Sequence, residues 1–290
     1  MDVVQTVERV PGVDEKVVAL DTRVEAGGPA LNAAVTASLL GMPSRLVTAV
    51  GASRLGEVVR DECVSHGVTL VDAAAQGFLL PVSTVLVTAA TGQRAVASRN
   101  SVGAPAATSL TDQAVAGVLE GVTAVLVDGH HLALGTAVAR AASGRGIPVV
   151  ADAGSWKPGL EALLTHVDVL VASAVFRPPE GDDLVHLLGL GPRWVARTAG
   201  GSPVRWMAAD GTTGEVPVRK VHVVDTLGAG DVLHGALLAD VGRRGVADLP
   251  GSLADAVEVA TRSVAAAGAH GWAAGQPGAT TATVGPWPNQ

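Results

Sequence analysis

From about residue 120 onward, short β-branched runs alternate with stretches of helical period, and this alternation limits the possible folds more than any other feature. Thr123–Val127, Pro148–Ala151 and Val167–Val171 read as buried strands, and Leu134–Ser143 and Pro158–His166 between them read as helices. Strands that alternate with helices build parallel βαβ units with right-handed crossovers. Leu46–Val50 reads as one more strand, fed by a helix from about Pro29 to Leu40 with Leu31, Val35 and Leu39 on one face. Two stretches break the rhythm. Lys16–Val24 alternates apolar and polar residues, and Val82–Thr88, Ala90-Thr91-Gly92 and Arg94–Ser98 read as a hairpin. The expected architecture is α/β: a mostly parallel sheet flanked by helices, from residues 26–75 and 101–290, with a small antiparallel β-lid from 1–25 and 76–100. The tail Gly275–Gln290 carries three prolines and is expected to be irregular.

Composition supports a packed chain. Of 290 residues, 48% are apolar and 16% charged, which excludes dominant disorder. A net charge of −7 without a basic cluster argues against nucleic acid as a partner. The single cysteine, Cys63, has no intrachain disulfide partner, and no Cys/His set has zinc spacing; it reads as a small apolar helix residue. Residues 73–93 carry no charge, but Gly77, Pro81 and Gly92 interrupt them, so they read as β-structure rather than a membrane span. The N-terminus lacks a basic region followed by an apolar core, so a cytoplasmic protein is expected.

The densest chemical signal is Asp225-Thr226-Leu227-Gly228-Ala229-Gly230-Asp231. A β-run (Val221–Val224) leads through a turn of small residues into a helix. Unpaired N–H groups and the positive end of the helix dipole then meet at one point and favour an anion there. Asp231 in the first turn reads either as a helix cap or as an acid that accepts a proton from an attacking hydroxyl. There is no Gly-Lys pair, so no Walker loop, and Leu233 stands where a dinucleotide fingerprint needs its third glycine. A second segment, Gly27-Gly28-Pro29-Ala30-Leu31-Asn32, reads either as a tight turn packed for space or as an amide-lined opening for sugar hydroxyls.

These motifs resemble those of the ribokinase-like (PfkB) carbohydrate kinases, the family that includes ribokinase, ketohexokinase and adenosine kinase. Asp-Thr-x-Gly-Ala-Gly-Asp is matched in full at 225–231, Gly-Gly-x-x-x-Asn by Gly27, Gly28 and Asn32, and the likeness runs over nearly the whole chain. Thr91-Gly92-Gln93-Arg94 and Val127-Asp128-Gly129-His130 bring the ketohexokinase-like branch nearest. The resemblance implies a general base at Asp231 and a phosphoryl-holding turn at Gly228, Ala229 and Gly230. It implies sugar contacts at Asp2, Asp14, Gly28, Asn32 and Arg94, and nucleotide contacts at Thr198, Gly200, Asp225 and Thr226. It further implies ATP with Mg²⁺, activation by K⁺ near the Asp225 loop, and no protein-held metal site. Three departures stand out. The family opens with an apolar strand ending in Gly, whereas here Met1 directly precedes Asp2. The family's Asn-x-x-Glu motif is replaced by Ala172-Ser173-Ala174-Val175-Phe176. Pro29 stands where ketohexokinase uses Asn.

The expected acceptor is a small sugar, ketose-like or a sugar acid, and a homodimer is expected because exposed strand edges tend to be covered. A nucleobase needs a stacking face, yet the chain has no Tyr and two Phe, with Phe78 the only aromatic in 76–100; Trp156 and Trp206 leave a nucleoside acceptor open. A sugar-binding protein without catalysis is disfavoured by the intact 225–231 string, and a dehydrogenase by the failed glycine pattern. His130, His131, Asp152 and Lys157 follow strands and could reach a cleft.

Overall fold

The computed structural model describes residues 1–98 and 110–274; Arg99 and the tail 275–290 lie outside them. The chain opens with β1 (Asp2–Val7), β2 (Ala19–Glu25), α1 (Pro29–Leu39), β3 (Ser44–Thr48), α2 (Arg54–Ser65), β4 (Val68–Asp72), β5 (Ser83–Thr88) and β6 (Arg94–Ser98). It continues with α3 (Asp112–Val118), β7 (Val125–Val127), α4 (Leu132–Ser143), β8 (Val149–Ala153), α5 (Leu160–Leu164), β9 (Val169–Ala172) and α6 (Leu184–Gly189). It ends with β10 (Trp194–Ala199), β11 (Ser202–Ala208), β12 (Thr213–Val216), α7 (Ala229–Arg244), α8 (Leu249–Ser263) and a 3₁₀ turn at Gly271–Ala273.

The local reasons are visible in the sequence. Pro29 begins α1 where its missing N–H costs nothing, and Ser53 starts α2 by accepting from the Gly56 N–H at 3.1 Å. Cys63 is buried on α2, as its helical reading required. β8 and β9 consist almost wholly of buried residues because both faces of their sheet are covered. Val149, Ala151 and Leu170 pack under α3–α6, while Val150, Val169 and Val171 pack under α7 and α8.

That sheet has six strands in the order β12-β11-β10-β9-β8-β7; β7 to β10 are parallel, and β11 and β12 are antiparallel. β3 and β4 form a separate parallel pair. Between β3 and β7 the described residues place no strand, and a cavity runs there, lined by Leu46 and Val47 on one side and Val125 and Val127 on the other. Above this gap the helix layer is continuous, since α1 over β3 packs directly on α7 over β7.

The small sheet has the order β2-β1-β5-β6. It contains two antiparallel ribbons, β1–β2 and β5–β6, but they are joined by a parallel β1–β5 pairing, so it is not purely antiparallel. Val221–Val224 is not a strand. No strand among the described residues pairs with it, and Val224 instead donates its N–H to the Val264 carbonyl past the end of α8, at 2.8 Å. No helix among the described residues is long and apolar enough to cross a membrane.

Candidate active site

Three backbone devices build the site. The first is the turn before α7. Gly228 caps the helix with φ 73° and ψ 3°, a left-handed conformation, and a Cβ there would lie 2.6 Å from the Ala269 Cβ. The positive φ thus falls on Gly228. Gly230 sits in the first helical turn with open space around its Cα, where an anion can approach. Asp225 braces the turn by accepting the Leu227 N–H at 2.8 Å and the Gly268 N–H at 3.1 Å.

The second device is the contact between α1 and α7. Gly235, one turn beyond Asp231, lies against α1; a Cβ there would stand 2.4 Å from the Ala33 carbonyl oxygen and 2.7 Å from the Thr36 Cβ. The helices therefore meet backbone to backbone. This brings Asn32 of α1 to Asp231 of α7, 199 residues away, and the Asn32 Nδ2 donates to Asp231 Oδ2 at 2.7 Å.

The third device is the ends of β7 and β8. Asp128, after β7, accepts the Ala30 N–H at 3.2 Å and the His130 N–H at 2.9 Å, which ties the start of α1 to the sheet. Asp152 of β8 lies 3.4 Å from the Nδ1 of buried His234. That ring also donates to the Gly230 carbonyl at 2.7 Å, which holds the first turn of α7 from beneath. Lys157 donates to the Gly129 carbonyl at 2.9 Å.

Electrostatically the site favours a proton on Asp231. Burial is the main cause, the Asn32 hydrogen bond opposes it, Asp152 adds repulsion, and together they raise the carboxyl to about 6. Asp152 is also raised, by burial first, with His234 opposing. His270, whose Nε2 lies 3.3 Å from the Asn32 carbonyl, is pushed down to about 4 by burial and stays neutral.

Asp2, Gly28, Asn32, Asp128, His130 and Asp231 line one cavity of about 1690 Å³. Of the residues the sequence singled out, Asp2 lies against Gly27, and Asp225 is a brace. Thr226 accepts the Ala229 N–H at 3.4 Å. Thr198 is the penultimate residue of β10, and Gly200 turns the chain into β11, both on the rim of the six-stranded sheet. Asp14 and Arg94 are exposed on the small sheet's side and do not line the cavity. Reading the sequence did not reveal Gly235 or the buried position of His234. Their only local signal is a spacing of three and four residues from Asp231, which puts them on the faces of α7 turned to the sheet and to α1. Among the described residues no group of three His, Cys, Asp or Glu could hold a metal ion.

No curated protein matches the sequence. Ribokinase from Giardia lamblia is 17% identical with a TM-score of 0.77, covering 93% of each chain. Arabidopsis thaliana ribokinase, solved with ribose and ATP, is 19% identical with a TM-score of 0.72, over 92% of this chain and 90% of its own. A carbohydrate kinase from Agrobacterium tumefaciens is 21% identical with a TM-score of 0.71, over 92% and 88%. At such identities these structures establish a common fold. The activity rests on the family model "pfkB family carbohydrate kinase", which matches residues 1–273. An acid on a small-residue helix start, backed by a ribokinase-like sheet and matched by that model over nearly its whole length, makes this chain a member of the pfkB family of carbohydrate kinases.

Proposed function

We propose that this kinase moves the terminal phosphoryl group of ATP onto a hydroxyl of a small sugar, ketose-like or a sugar acid, with Asp231 as the general base. The observation that carries the reading is the Asp231 carboxylate. It is held by Asn32 at 2.7 Å, raised to about 6, and seated one residue after the open Gly230.

In this reading Asp231 takes the proton of the acceptor hydroxyl as that oxygen attacks the terminal phosphorus. The bond to the nucleotide's bridging oxygen breaks, and ADP leaves. The amides at Gly228, Ala229 and Gly230 and the α7 dipole offset charge on the transferring group. Asn32, Gly28 and Asp2 would orient the sugar. Thr198, Gly200 and Thr226 would face the nucleotide, and the small sheet carrying Asp14 and Arg94 would close as a lid and exclude water.

Mg²⁺ would arrive on the nucleotide's phosphates, which suits a chain whose described residues hold no three-ligand acidic cluster. Both Asp225 carboxylate oxygens already accept backbone N–H groups, so K⁺ activation near that loop would depend on carbonyl oxygens and is read by comparing K⁺ with Na⁺ in the assay. A homodimer through the small sheet is supported by the uncovered Val18 and Leu20, which do not line the cavity.

A sugar rather than a nucleoside acceptor is supported by where the aromatic rings lie. Trp206 packs on Trp194, and Trp156 packs against buried Phe176. The test is ADP release across ketoses, aldoses, sugar acids and nucleosides. Turnover with a free sugar supports the proposal. A kcat/KM for adenosine well above every sugar would assign the nucleoside branch, and no ADP release with any acceptor would leave a binding protein.

A further inference from the structure

Two buried ionisable groups take no part in the phosphoryl transfer as proposed: Asp152 of β8 and His234 of α7. Their side chains are 12% and 6% exposed. A carboxylate so placed is costly unless a cation meets it. Among the described residues no Lys or Arg forms an ion pair with Asp152, and its Oδ2 lies 3.4 Å from the His234 Nδ1.

The atoms that face the His234 ring all accept hydrogen bonds. Nδ1 meets the Gly230 carbonyl at 2.7 Å and the Asp152 carboxylate at 3.4 Å, and Nε2 meets the Val171 carbonyl at 3.4 Å. A neutral imidazole has one N–H and one lone pair, so one of its nitrogens would turn a lone pair towards an oxygen inside the protein. An imidazolium has an N–H on each side and satisfies both, and Asp152 supplies the balancing charge.

This pair lies beneath the turn that carries Asp231, since the carbonyl held by His234 belongs to Gly230, the residue before it. Asn32 reaches Asp231 from α1, on another side. Burial is the largest influence on both carboxyls and raises both. Beyond burial and the Asn32 bond, Asp152 raises Asp231 while His234 lowers it. Asp128, after β7, raises both carboxyls, and His130 and Lys157 lower Asp152.

We propose that Asp152 and His234 are positioning residues for Asp231: a sealed carboxylate–imidazolium pair that holds the first turn of α7 and whose opposed charges set the ionisation of Asp231. A second carboxylate alone would keep Asp231 protonated at neutral pH and unable to act as a base. An imidazolium alone would keep it ionised but make it a weaker base. Together they leave it ionised at neutral pH and still more basic than an exposed aspartate. The charge pair stands independently of the kinase reading; its effect on turnover rests on that reading.

The test follows the protons first and turnover second. In ¹⁵N spectra of the whole wild-type chain at pH 7, assigned through the backbone of α7, both ring nitrogens of His234 should carry a proton. One bare nitrogen would overturn the proposal without any variant being made. The titration of Asp231 is then read from the ¹³C signal of its carboxyl. Asp152→Asn removes the like charge and should move the midpoint down from about 6 by about one pH unit. His234→Gln keeps a donor for the Gly230 carbonyl but removes the opposite charge, and should move the midpoint up by about as much. The pH profile of kcat should follow both shifts with little change in the KM for sugar. A purely structural pair would lower kcat or the melting temperature in both variants and leave the midpoint in place. Midpoints that stay put, or that move the same way in both variants, would overturn the proposal. Opposite ¹³C shifts without matching shifts in the kcat profile would uphold the pair and remove Asp231 as the base.

Discussion

The α1–α7 pair and the small sheet both bear on the same cavity, yet they are built in opposite ways. At the helix pair, backbone touches backbone at Gly235 and Ala33, Asn32 is bonded to Asp231, and His234 is fixed between Gly230 and Asp152. The small sheet is one layer thick. Leu20 and Val96 are each 59% exposed, and Arg94 does not line the cavity. The groups proposed to do chemistry are thus set before substrate arrives, and the groups proposed to close over it are not. Preorganisation is needed where charge develops, while closing elements come from the weakly held parts of a fold.

The largest effect that could break this contrast is on turnover. Asp231→Asn should lower kcat by about 10²–10⁴-fold with little change in sugar affinity, measured by steady-state kinetics beside direct binding. Near-normal turnover would remove the helix pair from the chemistry. The same variant should be more stable than wild type at pH 8. Asp231's carboxyl is raised on folding, so its contribution is full at low pH and lost as pH rises through about 6. The gain should be about 1–2 kcal/mol, allowing for partial exposure, and should vanish near pH 4 in thermal melts.

Next comes packing. Gly235→Ala puts a methyl 2.4 Å from the Ala33 carbonyl oxygen and should cost about 1–3 kcal/mol, with kcat falling as Asn32 is pushed from Asp231. An unchanged melting temperature would mean the two helices can slide freely. For the wild type, kcat should rise about tenfold per pH unit below about 6 and level off above it if the ionised carboxylate is the base, as proposed.

The smallest expected effect is in the small sheet. Leu20→Lys, at a side chain 59% exposed, should shift stability by no more than about 0.5 kcal/mol and should dissociate a dimer that uses that face, read by sedimentation. A large stability loss instead would show that the sheet is as tightly coupled to the core as the helices are.

What the sequence revealed follows the same division. The 225–231 string and the 27–32 turn stand out in the sequence because small residues at fixed spacing are a local pattern, the one the proposed phosphate and sugar contacts would require. The alternation after residue 120 was legible because buried parallel strands have nowhere to put polar groups. His234, Asp152 and Gly235 acquire their roles only when α7 lands on the sheet and on α1, so no local pattern announces them. Val221–Val224 failed as a strand because β-branched residues suit a strand only when a neighbour is present to pair with them. The parallel β1–β5 pairing was hidden for a related reason, since two hairpins in sequence do not state how they are joined.

The interrupted hydrogen-bond ladder between β3 and β7 has a consequence for cooperativity. Across most open sheets each strand's amides are tied to the next, so local opening spreads or fails as one event. Here the block of α2, β3 and β4 communicates with the six-stranded sheet mainly through the seam where α1 lies on α7. Its amides should exchange with solvent as a separate unit, at a lower free energy than those of β8 and β9, whose residues are buried on both faces. The methyl of Gly235→Ala should then loosen that unit selectively, so the helix contact that positions Asn32 also sets whether the two parts of the molecule unfold together.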